Sequence, residues 1–532
     1  MSLLRSFTTV GGYTLLSRLT GFARDMLIAS MLGAGMVADA YFVAFKFPNL
    51  FRRLFAEGAF SAAFVPMFSA TLEKDGEEAA KEFANRCYAF LALVVALFSA
   101  VLMIGMPWAM YVFAPGFTDV PGKHELATEL SRICFPYLFF ISLCSLVAGV
   151  LNSLGRFAAA AGTPILLNLV SMAALAGLSR YTETPGHALA WGTAAAGVAQ
   201  FVWLMAAAKR AGFLPRLIRP RLDDQVKTLL KRIVPVAFGA GMYQISLLID
   251  TMLASMVSDG AVSYLYFADR VNQLPLGVVG IAVGTALLPI LSRQIAAGDV
   301  KGASDSQNRS LEFSLLLTLP AMAGLIVLAE PIIRVLFQRG AFSAEDAQAT
   351  AAALMAFSVG LPSYVLVKVF TPGFFAREDT RTPVRIALVC LVFNVVLNVA
   401  LMQVLAHVGI ALATALASVL NATLLATTLI RRGHYRWDER LKSRLPRILG
   451  ATLAMTAVLL AGRWLAEGRV PDTSVAQALL LTGLVLAGGI VFAGMAVLTG
   501  AVRRSDLAQF KGLRRRPAGA KAGSDPSAGG EG

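Results

Sequence analysis

The sequence predicts an all-α polytopic membrane protein, and three observations carry that prediction. Hydrophobic residues make up 57% of the 532-residue chain and charged residues only 15%, with a mean hydropathy of +0.67; soluble domains run nearer a quarter charged. Apolar runs long enough to cross a bilayer recur between short polar breaks, roughly fourteen in all. The charges that interrupt those runs are grouped: Arg18, Arg24 and Asp25 in the first, Asp39, Lys46, Arg52, Arg53 and Glu57 in the second, Asp269 and Arg270 in a later one. A charge at mid-bilayer costs about 2.5–3.5 kcal/mol on insertion scales. Grouped charges of net positive sign imply a polar cavity inside the membrane domain.

The runs lie near 8–32, 38–68, 87–113, 129–152, 158–179, 187–207, 229–257, 262–291, 309–337, 347–375, 384–405, 408–430, 446–466 and 473–501. An even number puts both termini on one side. The long basic breaks at 209–232 and 431–447, and the tail with Arg503, Arg504, Lys511 and Arg514 to Arg516, fall on that side; the other side holds few cations, such as Lys123, Arg180, Arg339 and Arg469. The positive-inside rule then makes both termini cytoplasmic. Most of the +15 formal charge is thereby assigned to topology and to contact with membrane lipid headgroups, and nucleic acid is not needed to explain it.

Other chemistries find little support. Cys87, Cys134, Cys144 and Cys390 fall within apolar runs, without disulfide or zinc spacing. The histidines (His124, His187, His407, His434) sit at breaks or run edges, apart from any metal cluster. There is no G-x-x-x-x-G-K-[ST] loop for a nucleotide and no nucleophile–base pair, so transport driven by an ion gradient or membrane potential fits better than catalysis. The N-terminus lacks a cleavable signal pattern.

The chain also repeats itself. Asp25 to Met31 in the first run resembles Asp250 to Met256 in the seventh, and Tyr41-Phe42 matches Tyr266-Phe267. Phe64-Val65-Pro66 answers Leu287-Leu288-Pro289, and Gly162-Thr163-Pro164 answers Arg381-Thr382-Pro383. An even number of intervening spans gives both copies one orientation, a parallel repeat about an axis along the membrane normal. The expected organisation is an N-lobe over 1–225, a C-lobe over 226–440, two appended spans over 441–502, and a basic disordered tail over 503–532.

Within the first run, Arg18, Gly21, Asp25 and Ile28 share a helix face, with Arg24 about 100° round from Asp25; Gly11, Gly12 and Gly21 would allow bending or local unwinding. Asp39, Lys46 and Arg53 share a face of the second run, Arg52 is turned away, and Pro48 softens that phase argument. Some of these groups have plainer readings: Arg53, Arg334 and Lys368 as snorkelling side chains, and Arg24–Asp25 or Arg52–Glu57 as structural ion pairs. The excess of cations favours an anionic ligand. Arginine forks suit phosphate oxygens, and several together suit a diphosphate. Asp250 stands without a base within a helical turn, while Asn394 and Asn398 share a face and Thr414 follows in the next run. That set reads either as a site for a hard monovalent cation such as Na⁺ or as interhelical polar glue.

Ser17-Arg18-Leu19-Thr20-Gly21-Phe22-Ala23-Arg24-Asp25, Asp39-Ala40-Tyr41-Phe42-Val43-Ala44-Phe45-Lys46 and the stretch Pro48 to Phe60 closely resemble the MurJ (MviN) lipid II flippase family. Tyr266-Phe267-Ala268-Asp269-Arg270, Leu361-Pro362 and Pro372-Gly373-Phe374-Phe375 extend the likeness across all the apolar runs. The resemblance implies a place in the multidrug/oligosaccharidyl-lipid/polysaccharide exporter superfamily. It also implies movement of lipid II, a polyprenyl-diphosphate-linked peptidoglycan precursor, from the cytoplasmic to the periplasmic leaflet of the inner membrane by alternating access.

Residue by residue, the resemblance implies Arg18, Arg24, Arg52 and Arg270 as substrate-binding cations, with Asp25, Asp39, Glu57 and Asp269 as gating or charge partners. Asp250, Asn394, Asn398 and Thr414 match a sodium site of some members, and the last two spans match a groove for the lipid tail. Two positions depart. Gln273 stands where some members have an acid, and Asn398 where a sodium-binding member has a carboxylate. The expected protein is a monomeric transporter, not an enzyme, working near cell-wall synthesis enzymes. The rivals are a flippase for another polyprenyl-diphosphate-linked oligosaccharide, a multidrug cation exporter disfavoured by the arginines, and a non-transporting scaffold that binds lipid II.

Overall fold

A computed structural model describes residues 3–53, 59–471 and 473–502. All regular structure among them is helical, with no strand. The first half comprises α1 (Leu3–Leu32), α2 (Met36–Arg52), α3 (Ala59–Lys74), α4 (Gly76–Ile104), α5 (Met106–Phe113), α6 (Lys123–Cys134), α7 (Pro136–Ser153), α8 (Phe157–Leu178) and α9 (Pro185–Arg210). The second comprises α10 (Asp224–Ser255), α11 (Ala261–Ala296), α12 (Val300–Val327), α13 (Ala329–Phe337), α14 (Ala344–Val359), α15 (Leu361–Phe375) and α16 (Arg381–Arg431), followed by α17 (Glu439–Ala466) and α18 (Ser474–Leu498).

Nine helices among the described residues are long and apolar enough to cross a membrane, α6–α7 and α14–α15 each counting as one continuous rod. The protein is a multi-pass membrane protein. Helix α1, which carries Arg18, Arg24 and Asp25, stays outside that group; charges in a span make it costlier to place in lipid. Helix starts are sealed by side-chain oxygens where the chain turns: Asp223 accepts from Val226 N at 2.8 Å, Asp438 from Leu441 N at 2.7 Å, and Ser343 with Asp346 forms a reciprocal capping box. Helix α1 runs through Gly11, Gly12 and Gly21 without local unwinding, and Gly21 lets Asn168 of α8 and Arg270 of α11 approach. Asn168 Nδ2 donates to Ser17 O and Thr20 Oγ1, both at 3.1 Å, fastening α1 to α8. Helix α16 runs for 51 residues with one break, at Ala406 (φ 49, ψ −133), which folds it back on itself.

Packing differs between the two ends of the molecule. At the end away from the chain termini, one continuous apolar cluster joins both halves, drawing Ile28, Phe42 and Phe135 together with Phe267, Phe337 and Ile410. Ala341 N donates to Ser30 O at 2.8 Å across the same seam. Toward the termini the apolar clusters separate. Phe60, Phe64, Phe68 and Phe83 pack in the first half, while Leu315, Phe370, Phe374 and Leu429 pack in the second with Leu441 and Ile448 of α17. Helix α10 straddles the division. Val226 and Leu229 near its start belong to the first-half cluster, and Asp250 near its end bonds Asn398 of α16. Cys87, Cys134, Cys144 and Cys390 are free and buried.

Candidate functional site: a charged chamber beneath a sealed end

Asp25 is the centre of the site. It is fully buried, near the sealed end of α1. Its neighbour Arg24, only 5% exposed, curls back to donate to Asp25 Oδ1 through Nη2 at 2.7 Å and Nε at 3.1 Å. From the second half, Arg270 Nε donates to Asp25 Oδ2 at 2.5 Å and the Tyr266 hydroxyl donates to Oδ1 at 3.1 Å. The structure therefore holds the Arg24–Asp25 ion pair that the sequence leaves as one alternative, and adds a second arginine to it. Tyr266 is placed by stacking on Phe42, ring centroids 3.9 Å apart, and Arg24 lies over the Phe45 ring at 5.8 Å. Two guanidinium groups against one carboxylate leave a single positive charge in surroundings closed to water on one side. Removing either partner of such a buried pair is costly, because the other keeps its desolvation penalty.

Arg18, two turns earlier on α1, is exposed to the open chamber and packs its guanidinium over Gly277 of α11, where any Cβ would collide with it. Lys368 of α15 is exposed. Arg52 lies at the end of α2, donating through Nε to Asn49 Oδ1 at 2.9 Å, apart from the Asp25 cluster. Arg53 is exposed. Glu57 lies outside the described residues. Asp269 accepts from Gln273 Nε2, so the amide that departs from the family pattern serves as hydrogen-bond donor to the acid one turn before it.

Asp39 belongs to a separate, fully buried set. Its Oδ2 accepts from Gly260 N at 2.8 Å, and its Oδ1 from Ser263 N at 2.8 Å and Ser263 Oγ at 2.6 Å. A carboxylate from the first half thus caps the N-terminus of α11 in the second, where the helix dipole favours negative charge. Gly260, at φ 84, supplies the left-handed turn that aims those N–H groups. Lys123 Nζ completes the latch, 2.7 Å from Asp39 and 2.6 Å from Asp259. Sequence reading counts Lys123 as an exposed loop charge; it is 1% exposed. Nothing in its own neighbourhood of sequence announces a partner from α2.

The four expected sodium ligands do come together. Asn398 Nδ2 donates to Asp250 Oδ1 at 2.8 Å and to Asn394 Oδ1 at 3.1 Å, and Asn394 Nδ2 lies 3.5 Å from Thr414 Oγ1. Asn398 Oδ1 is buried without a hydrogen-bond partner. The charge of Asp250 is not alone, however. Lys46 of α2 lies beside it, its Nζ donating to Oγ1 of Thr251, the next residue. Lys46 borders a small apolar cleft among Val43, Phe47, Leu50, Phe113 and Leu248. The expectation that no base lies within a helical turn of Asp250 holds along α10.

A helical membrane fold with a charged chamber between two halves defines a class of multi-span transporters. The fold is shared with an inward-facing multidrug MATE-family transporter of the MOP superfamily, which matches with a TM-score of 0.63 over 80% of this chain and 97% of that one at 15% identity. A structure described as "Lipid II flippase MurJ, inward closed conformation" matches at 0.75, covering 95% of this chain and 99% of that one at 25% identity. The model of the family described as lipid II flippase MurJ matches residues 28–470. A Rhizobium meliloti protein named "Probable lipid II flippase MurJ" is 44% identical over 93% of this chain and 94% of its own, and the Burkholderia cenocepacia "Lipid II flippase MurJ" is 38% identical over 74% and 77%. The chain belongs to the MurJ lipid II flippase family.

Proposed function

We propose that this protein flips lipid II across the bacterial inner membrane, from the cytoplasmic to the periplasmic leaflet, by alternating access between its two lobes. The observation that carries the reading is the salt-bridge set on Asp25, where cations from α1 and α11 meet beside the apolar cluster that joins the two halves. Arg18, Arg24, Arg52 and Arg270 are the proposed headgroup ligands. Arg18 faces the open space directly. Arg24 and Arg270 are held by Asp25 until an anionic diphosphate offers a competing set of oxygens, and their planar forks suit it. Exchange of Asp25 for the diphosphate would free the carboxylate and loosen the contact between halves. The Asp39 latch would then open, and with it the far side.

The topology of the proposal is fourteen spans, both termini cytoplasmic, and a monomer working near cell-wall synthesis enzymes. Helices α17 and α18 pack on each other through Met455, Leu459 and Leu484 and leave Leu453, Trp464, Leu479 and Ile490 exposed, a surface suited to the lipid tail. A sodium ion fits the residues at Asp250: a carboxylate, the orphaned Asn398 Oδ1, the Asn394 amide oxygen and the Thr414 hydroxyl are oxygen donors of the kind a hard cation takes. When bound it would supply positive charge beside Asp250, where Lys46 already does so from the other half. In resetting the cycle, Lys46 would hold Asp250 when the lobes are together at this level and leave it when they part.

The test is replacement of the resident gene copy by variants while measuring how much lipid II headgroup becomes accessible at the periplasmic face. Arg24→Ala and Arg270→Ala are expected to abolish exposure and viability. Normal exposure in cells depleted of the protein would sink the flippase reading in favour of a scaffold, and normal exposure in both variants would sink the arginine clamp.

A further inference from the structure

Away from the chamber, on the sealed end of the first half, His187 meets Glu129 and Glu183, and no part of the transport reading uses them. His187 sits in the first turn of α9, Glu129 lies on α6, and Glu183 precedes the Thr184 that caps α9. One ligand atom from each of the three lies within 4.8 Å of the others. Glu129 and Glu183 are exposed, but His187 is 5% exposed. Its Nε2 is buried without a hydrogen-bond partner, 3.5 Å from Glu129 Oε2. Its other nitrogen, Nδ1, is engaged by Thr184 Oγ1 at 2.9 Å.

This arrangement has a chemical consequence. With Nδ1 engaged by the threonine hydroxyl, Nε2 is the ring nitrogen left facing the two carboxylates. Such a nitrogen can carry a proton toward Glu129 or offer its lone pair to a cation held between the carboxylates. The threonine contact is the outer-shell support that metal-bound histidines regularly show, fixing ring orientation and tautomer. One imidazole and two carboxylates, with water completing the shell, suit zinc and its neighbours; calcium and magnesium prefer oxygen alone. The glutamates are long and solvent-facing, so closing from the present spacing to bonding distance needs only side-chain rotation.

We propose that Glu129, Glu183 and His187 form a divalent transition-metal site, zinc being the best fit, on the sealed face of the protein. The site joins α6, the α8–α9 turn and α9. Its position gives it leverage over the Asp39 latch. Lys123 lies on α6, less than two turns before Glu129, and Gly186, adjacent to His187, packs directly beneath Val37 of α2, where a Cβ would come within 2.7 Å of the valine methyl. Bound metal would stiffen the platform on which both Asp39 and Lys123 stand.

The experiment uses the full-length, tag-free protein, stripped with chelator and reconstituted in nanodiscs of phosphatidylethanolamine and phosphatidylglycerol. Titration with Co²⁺ is expected to give one saturable equivalent with visible absorption bands, abolished by Zn²⁺, and Zn²⁺ is expected to raise the thermal midpoint as a ligand of the folded state must. His187→Ala should lose the bands and the thermal shift, and Glu129→Gln with Glu183→Gln should weaken Zn²⁺ at least about tenfold. The exposed glutamate pair keeps the test available if the histidine variant fails to fold. Absence of saturable binding below about 100 µM, equal binding by the variants, or a thermal response to pH alone without any to Zn²⁺ would each overturn the assignment.

Discussion

The carboxylate of Asp39 accepts both the backbone N–H and the hydroxyl of Ser263, at 2.8 and 2.6 Å, so that a residue of α2 caps a helix of the opposite half. The strength of this contact lies in its third member. Lys123 neutralises Asp39 in a place closed to water, and without it the carboxylate would keep only neutral donors. Loss of one partner of a buried pair costs about 3–5 kcal/mol, whereas loss of the Ser263 hydroxyl leaves its N–H in place and costs about 1–2 kcal/mol. Lys123→Met is therefore expected to open the sealed end and Ser263→Ala to loosen it slightly. In a variant whose cysteines other than Cys134 are replaced by alanine, labelling of Cys134 by an impermeant maleimide checks this: rates should rise in the order unchanged, Ser263→Ala, Lys123→Met. Equal rates would refute it.

Arg270 and Arg24 share one acid, so their variants should not behave alike. Arg270→Lys keeps the charge but loses the planar fork, and is expected to retain a fraction of transport, while Arg270→Ala loses at least about tenfold. Asp25→Asn leaves the buried Arg24 and partly exposed Arg270 guanidinium groups facing a neutral amide and should reduce folded protein as well as transport. Flux in reconstituted vesicles, normalised to folded protein by size-exclusion yield, separates the two effects.

Lys46 and Asp250 form a charge relation across the halves. A double-mutant cycle with Lys46→Met and Asp250→Asn should show coupling on the order of 1–3 kcal/mol in thermal stability. Removing Lys46 also removes the cation that competes at Asp250. The stabilisation by Na⁺ over K⁺ should then be larger in Lys46→Met than in the unmodified protein and vanish in Asp250→Asn. A Na⁺ effect that ignores both substitutions would count against a sodium site here.

At the terminus end, in the loop before α16, Asp379 accepts from Thr382 N at 3.0 Å and from Arg432 Nη1 at 2.6 Å. The Thr382 hydrogen bonds, then the Arg432 guanidinium, hold its carboxyl well below the usual range. A folded value depressed below the unfolded one, which is near 3.9, contributes stability that is present above that pH and is lost as pH falls toward the folded value. Asp379→Asn should therefore lower the thermal midpoint at pH 7, and the gap to the unmodified protein should close below about pH 4. A gap independent of pH would show that shape, not charge, makes the contact.

Much of this was legible in the chain because membrane insertion makes charge expensive. Asp25, Asp39, Arg24 and Arg270 stand out wherever an apolar run should be clean, and the echo of Asp25 at Asp250 is visible in the flanking residues. Partnerships were not legible, since they join positions far apart in sequence. Lys123 reads as an ordinary loop lysine until α2 delivers Asp39 to it. Tyr266 carries no charge, so nothing marks it as a ligand of Asp25. The same holds for His187, set aside at a run edge, whose glutamates come from another helix and another turn.

The break at Ala406 turns α16 back with a single residue out of helical geometry, at a φ of 49 that an alanine adopts only under strain. Asn394 and Asn398 lie on one arm of that hairpin and Thr414 on the other, joined at 3.5 Å from Asn394 to Thr414. With no loop to lend slack, the two arms cannot slide past each other, and the amides and the hydroxyl travel as one rigid jaw. Whatever closes or opens around a cation there must come from the other side, through displacement of Asp250 on α10. That helix is rooted at its start in the first half, which makes it a lever whose fulcrum and load sit in different lobes.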